Sequence, residues 1–152
     1  MNSDMKSNMK RVAATLVLAM SGACAMAQMT PVGLWKTIDD DGKTEKSLVR
    51  ITESAGVYSG VVEKIFDAAK QDAKCDLCTD DRKDKPVLGL TIIRNVRQDA
   101  DDKTVWGGGE ILDPKNGKTY KTRLKPVDGG KTMEMRGYIG FLYRTQVWQR
   151  VE

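Results

Sequence analysis

The chain contains no histidine. That absence removes Ser-His and Cys-His nucleophile chemistry and every imidazole metal site. Beyond residue 30 no apolar run approaches the roughly eighteen residues of a membrane-spanning helix. Cysteine is scarce, at three residues, and one of them, Cys24, falls in the N-terminal segment. Excess charge is also small. Lys and Arg total 25 against 21 Asp and Glu, a net +4, and without residues 1–27 the balance falls to +2. No basic stripe is evident, so a nucleic-acid partner has no electrostatic warrant. Internal repeats and low-complexity tracts are missing too.

What is present first is an address. Lys6, Lys10 and Arg11 form a positive n-region, Val12–Met20 a nine-residue apolar h-region, and Ala25-Met26-Ala27 a small-residue cleavage site. This is the pattern of a secretory signal peptide over residues 1–27. The h-region is too short for a bilayer span. A lipoprotein with Cys24 as the lipidated residue is the alternative, and Ser21 stands where such motifs usually carry Leu. The expected organisation is therefore a leader, then one domain over residues 28–152 located in the periplasm, with no transmembrane segment after cleavage. A domain of that size buries about two-thirds of its chain surface and needs no metal or disulfide staple to fold.

The remainder reads as short strands separated by turn residues. Strand character runs over 33–38, 46–53, 57–66, 87–96, 104–112, 119–127, 132–139 and 145–151. Asp41-Gly42, Ser54-Ala55-Gly56, Asp113-Pro114-Lys115-Asn116-Gly117 and Asp128-Gly129-Gly130 supply turns. One short helical turn is predicted within Glu63–Lys74. Eight meandering antiparallel strands either close into a barrel or stack as two sheets. Closure removes exposed edges, and eight strands enclose a space just wide enough for side chains or one small ligand.

Cys75-Asp76-Leu77-Cys78 lies in a long polar loop spanning residues 67–86. A structural disulfide is expected in an oxidising compartment. The closed ring is small, and the chain-entropy model gives it about 2 kcal/mol. Redox chemistry is the second reading. Thioredoxin-like motifs open a helix that lowers the thiol pKa, whereas Asp72, Asp76, Asp80 and Asp81 surround this one and raise it. Zinc, the third, lacks a second ligand pair. Trp106-Gly107-Gly108-Gly109 invites a phosphate-loop reading, but strand residues follow where a helix is required. A β-bulge or a tight barrel bend is predicted there instead. The acidic clusters Asp39-Asp40-Asp41, Asp80-Asp81 with Asp84, and Asp99 with Asp101-Asp102 read as solvated turns, since none has the spacing of a calcium loop. Glu110, among glycines and apolar residues, is the one carboxylate whose context could raise its pKa. Arg50 and Arg136 sit inside strands, and an inward-facing one would need a partner or an anionic ligand.

A family resemblance begins at Gly33-Leu34-Trp35, which resembles the opening of the first strand in lipocalin and calycin barrels. Residues 106–114 (WGGGEILDP), 116–120 (NGKTY), 135–140 (MRGYIG) and 145–150 (TQVWQR) are together similar to an uncharacterised bacterial exported family, a domain of unknown function with a lipocalin-like barrel. The resemblance covers residues 31–151. It implies a single all-β, eight-stranded, antiparallel up-and-down barrel with one long loop carrying the Cys-x-x-Cys. It also implies a barrel-closing structural pair, Trp35 with Arg150. It brings no catalytic residues, and no cofactor or metal is expected.

The functional expectation is a periplasmic carrier holding a small apolar or amphipathic ligand in its interior. The candidate pocket is Tyr58, Trp106, Met133, Met135, Tyr138, Phe141 and Arg136. An envelope interaction protein with a filled barrel is the alternative, favoured by an exposed apolar patch. A thiol–disulfide redox protein acting through Cys75 and Cys78 is the third.

Overall fold

Alternation of β-branched and aromatic residues with polar ones favours extended chain, and the turns between such segments here carry residues that tolerate left-handed backbone. In the computed structural model, which describes residues 29–152, eight strands result: β1 (Gly33–Ile38), β2 (Glu45–Ser54), β3 (Val57–Ile65), β4 (Thr91–Gln98), β5 (Trp106–Asp113), β6 (Lys118–Val127), β7 (Thr132–Ile139) and β8 (Leu142–Arg150). Each pairs antiparallel with the next, and β1 pairs with β8 to close the barrel. The expected leader and the lipidation alternative at Cys24 lie outside the described residues.

The up-and-down order sends the 39–44, 66–90, 114–117 and 140–141 connections to one end, here called the mouth. The other three connections and both ends of the described chain lie at the opposite, closed end. Arg150 closes that end. Its guanidinium lies 4.2 Å over the Trp35 ring and donates to the carbonyls of Thr30 and Val32, each at 2.6 Å. Trp35 Nε1 donates to the Pro31 carbonyl at 2.7 Å. Gly33, at φ 140°, lets β1 enter beneath the C-terminal strand, where a Cβ would collide with the Glu152 carbonyl. This is the physical basis of the Gly-x-Trp opening.

The barrel interior is filled. Trp35, Val49, Ile51, Ile93, Leu124 and Met133 are completely buried, with Trp148 beside them. The Thr37 and Ser47 hydroxyls share a hydrogen bond of 2.8 Å nearer the mouth. The glycine-rich stretch shifts the β5–β6 register between Trp106 and Gly109, as a bulge does.

Three elements differ from expectation. Residues 87–90 are not strand, because the long loop takes their backbone: Val87 N–H bonds Ala73 and Gly89 N–H bonds Val62. β8 begins at Leu142 rather than Thr145, because Gly140 (φ 59°) makes a tight β7–β8 turn. The helical segment shrinks to a 3-10 turn, Ala68–Lys70, capped by the Asp67 carboxylate.

Candidate functional site

The loop between β3 and β4 is a built structure rather than a solvated connection. Cys75 and Cys78 form a disulfide with Cα atoms 5.3 Å apart. Both are buried, at 0% and 1% exposure, so an attacking thiolate has no approach to either sulfur. The ring packs on the β5–β6 turn, with Cys75 Sγ 3.8 Å from the Pro114 carbonyl. Gly117, at φ 71°, permits this contact, since a Cβ there would collide with the Leu77 carbonyl.

Arg82 is the loop's main anchor and is 1% exposed. Its guanidinium donates to Asp80 (2.6 Å), Glu110 (3.1 Å) and the Thr91 carbonyl (3.1 Å). Arg94 on β4 holds Asp81 through two bonds of 2.7 and 2.9 Å. That pairing lowers the Asp81 carboxyl to about 2, and hydrogen bonds from Arg82 lower Asp80. Glu110 is thus an ion-pair partner. The other acidic clusters serve turns: Asp41 accepts from Thr44 and Lys43, which lowers its pKa, and Asp99 accepts from the amides of Asp102 and Asp101, with the same effect. Among the described residues no group of three carboxylate or thiol side chains is placed to hold a metal ion.

Between this loop, the β1–β2 turn and the β5–β6 turn lies a cavity of about 500 Å³ at the barrel mouth. Val62, Ile65, Val87 and Ile92 give it an apolar floor, and Leu77 forms one lip. Lysines and carboxylates share the rim. Lys46 and Lys70 pair with Asp39 and Asp67, while Lys74 and Lys115 line the rim without an ion pair within 4.0 Å among the described residues, Lys115 acting on Asp39 from farther away. The volume lies within the usual range for small-molecule sites, and an apolar cup with a few polar groups is their usual chemistry. A larger groove of about 870 Å³ runs outside the barrel between the loop and the ends of β6 and β7. Thr79, Asp80, Asn116, Lys118, Thr119 and Lys121 make much of its wall polar.

The candidate pocket residues inferred from sequence do not converge on either cavity as a set. Trp106, Met133 and Met135 are core. Tyr58 packs edge-on against Trp106 at 6.0 Å, and Trp106 Nε1 is buried without a hydrogen-bond partner. Tyr138 lines the outer groove. Phe141 is 94% exposed at the β7–β8 turn. Arg136 lies outside the barrel with its guanidinium 4.1 Å over the Tyr143 ring. Bulges in β2, β3 and β5 shift strand parity, so alternation counted along the chain misassigns faces. Arg50 also faces outward and pairs with Glu63 and Glu152. Sequence reasoning missed the mouth residues and Arg82. The Asp80-Asp81-Arg82 run, with cation and carboxylates adjacent, was the available signal for the anchor.

Comparison with known proteins agrees with this architecture. The model of a family described as an uncharacterized protein conserved in bacteria (DUF2147) matches residues 33–150. Among solved structures, HP1028 from the human pathogen Helicobacter pylori, described as belonging to the lipocalin family, is similar with a TM-score of 0.67. It shares 20% identity, and the match covers 80% of this chain and 82% of that one. At that identity the likeness is one of fold. No curated protein matches.

Proposed function

The chain belongs to that uncharacterised bacterial family, and from that premise we propose that it is an exported carrier of a small amphipathic molecule, held at the barrel mouth. The observation that carries this is the cup itself: an apolar floor of Val62, Ile65, Val87 and Ile92 beneath a rim where Lys74 and Lys115 have no ion-pair partner within 4.0 Å among the described residues. An apolar tail in the cup would remove hydrocarbon from water at roughly 25 cal/mol per Å², and an anionic headgroup would lie near the two ammonium groups. The ligand would occupy the mouth because the interior below it is already filled by side chains. Export is supported by the leader pattern of residues 1–27 and by a buried disulfide, which persists in oxidising compartments. The lipocalin-like fold is compatible with carriage of a small apolar ligand.

Calorimetric titration with dodecanoate and with dodecyltrimethylammonium, which share a tail and differ in head charge, tests the reading. Dodecanoate is expected to bind at least tenfold more tightly, and Lys74→Glu with Lys115→Glu to abolish that preference. Equal binding of the two amphiphiles overturns the headgroup assignment. Binding of neither overturns the carrier reading.

An interaction role at the envelope is the second reading. It is favoured by the filled interior and by the exposed apolar tip of the β7–β8 hairpin.

A further inference from the structure

The small net charge conceals an uneven distribution. Residues 118–148 carry seven Lys and Arg against two Asp and Glu. These residues build β6, β7 and β8, so one side of the barrel is basic. The same side carries the most exposed apolar segment among the described residues. At the β7–β8 turn Ile139 is 63%, Phe141 94%, Leu142 62% and Tyr143 58% exposed. A hairpin tip in water is normally polar on at least one face. Here both faces are apolar or aromatic. Ile139 and Leu142 are cross-strand partners, as are Tyr138 and Tyr143, whose rings lie 5.9 Å apart. Arg136 stacks on Tyr143 from the strand below.

The hairpin also stands partly free of the barrel wall. β8 pairs with β1 only at Trp35↔Arg150 and Lys36↔Gln149. Nearer the mouth the seam is spanned by side chains, with Arg144 and Gln146 both donating to Asp40 at 2.7 and 3.0 Å.

We propose that the β7–β8 hairpin is a docking surface for a lipid bilayer bearing anionic headgroups. Phe141 and Leu142 would enter the boundary between headgroups and acyl chains. Tyr138 and Tyr143 would lie at headgroup level, where aromatic rings concentrate. Lys118, Lys121, Arg123 and Arg136 would face the anionic surface. Charge selects this occupant over a second copy of the chain: two such faces brought together would repel each other. An anionic bilayer gains about fivefold in binding for each cation held near it. Docking by this tip would also bring the mouth, which lies at the same end, to the membrane. The proposal stands independently of the ligand reading.

Flotation with vesicles of phosphatidylglycerol and phosphatidylcholine in equal amounts, against phosphatidylcholine alone, tests it. The protein is expected to float with the mixed vesicles, weakly or not at all with the neutral ones, and to be released by high salt. Phe141→Ser with Leu142→Ser should weaken mixed-vesicle binding by tenfold or more, since two exposed apolar side chains lose their burial in lipid. Both lie outside the core, so the near-ultraviolet circular dichroism should be unchanged. Lys118→Gln with Lys121→Gln should cost roughly twentyfold. Absence of binding to the mixed vesicles, equal binding to neutral ones, or binding undiminished by the serine variant overturns the proposal. So does sedimentation showing a dimer that the serine variant converts to monomer, which would assign the tip to a second copy.

Discussion

Replacing Arg82 by leucine removes the cation, fully buried and without an equal among the described residues, that ties the disulfide loop to the barrel. In the native protein its guanidinium makes three hydrogen bonds to Asp80 and one each to Glu110 and the Thr91 carbonyl, and its backbone amide adds a fourth to Asp80. Hydrogen bonds to charged groups contribute about 1.5–3 kcal/mol each, and breaking a buried ion pair costs about 3–5 kcal/mol. The upper figure must be discounted here. The Asp80 and Glu110 side chains are each 38% exposed and would regain water. The Thr91 carbonyl has less access to solvent, and Leu fills only part of the space left by the guanidinium. The expected loss is about 2–4 kcal/mol, or roughly 10 °C in Tm for a domain of this size. The first assay is urea denaturation followed by tryptophan fluorescence. The second is hydrogen exchange of the Cys75 and Val87 amides, which bond to Lys85 and Ala73 within the loop. Exchange there should accelerate more than exchange of β7 amides in the same sample. Arg82→Lys keeps the charge but loses the planar fork, and should fall between the two. Stability within about 0.5 kcal/mol of wild type, together with unchanged loop protection, would show that Arg82 does not anchor the loop.

Other consequences concern the same loop. Cys75→Ser with Cys78→Ser should leave the barrel folded and cost about 2 kcal/mol, because the ring it opens is small; loss of the β-sheet circular dichroism would contradict a local role. Gly117→Ala should loosen the loop rather than the barrel, because the new Cβ meets the Leu77 carbonyl; faster proteolysis within residues 73–87, with β7 exchange unchanged, is the expected signature. The Asp81 carboxyl is depressed from 3.8 to about 2 by Arg94, so its unfolded form binds protons first on acidification. Its contribution is present above about pH 4 and is lost as pH falls towards 2. Loop exchange should therefore rise across that window, and Asp81→Asn should flatten the dependence.

Much of the architecture was legible because strand and turn chemistry agree locally. β1 and β7 have the limits expected from Gly33–Ile38 and Thr132–Ile139, since both are bounded by residues that favour turns. The β8 start was obscured because Gly140-Phe141 interrupts a run of apolar residues without an Asn or Asp to mark the turn. The long loop was legible only as polar. Its order depends on contacts distant in sequence, such as Arg82 with Glu110 and Gly117 beneath Leu77. The pocket reading failed to gather its residues for a related reason. Large side chains at alternating positions, such as Met133 and Met135, serve equally as core or as cavity lining, and local pattern does not separate the two. The mouth residues are individually ordinary, and only the return of the loop over β3 makes Val62, Val87 and Lys74 neighbours.

A ligand held at the mouth, rather than in the filled interior or the outer groove, would leave its mark on the amides of the cup. Amide chemical-shift mapping during titration with dodecanoate tests that placement most directly. Saturable shifts are expected to concentrate at Val62, Ile65, Lys74, Val87, Ile92 and Lys115, with Met133 and Leu124 little changed. Shifts confined to the outer groove around Tyr120 and Tyr138, or no saturable shifts at all, would contradict the placement.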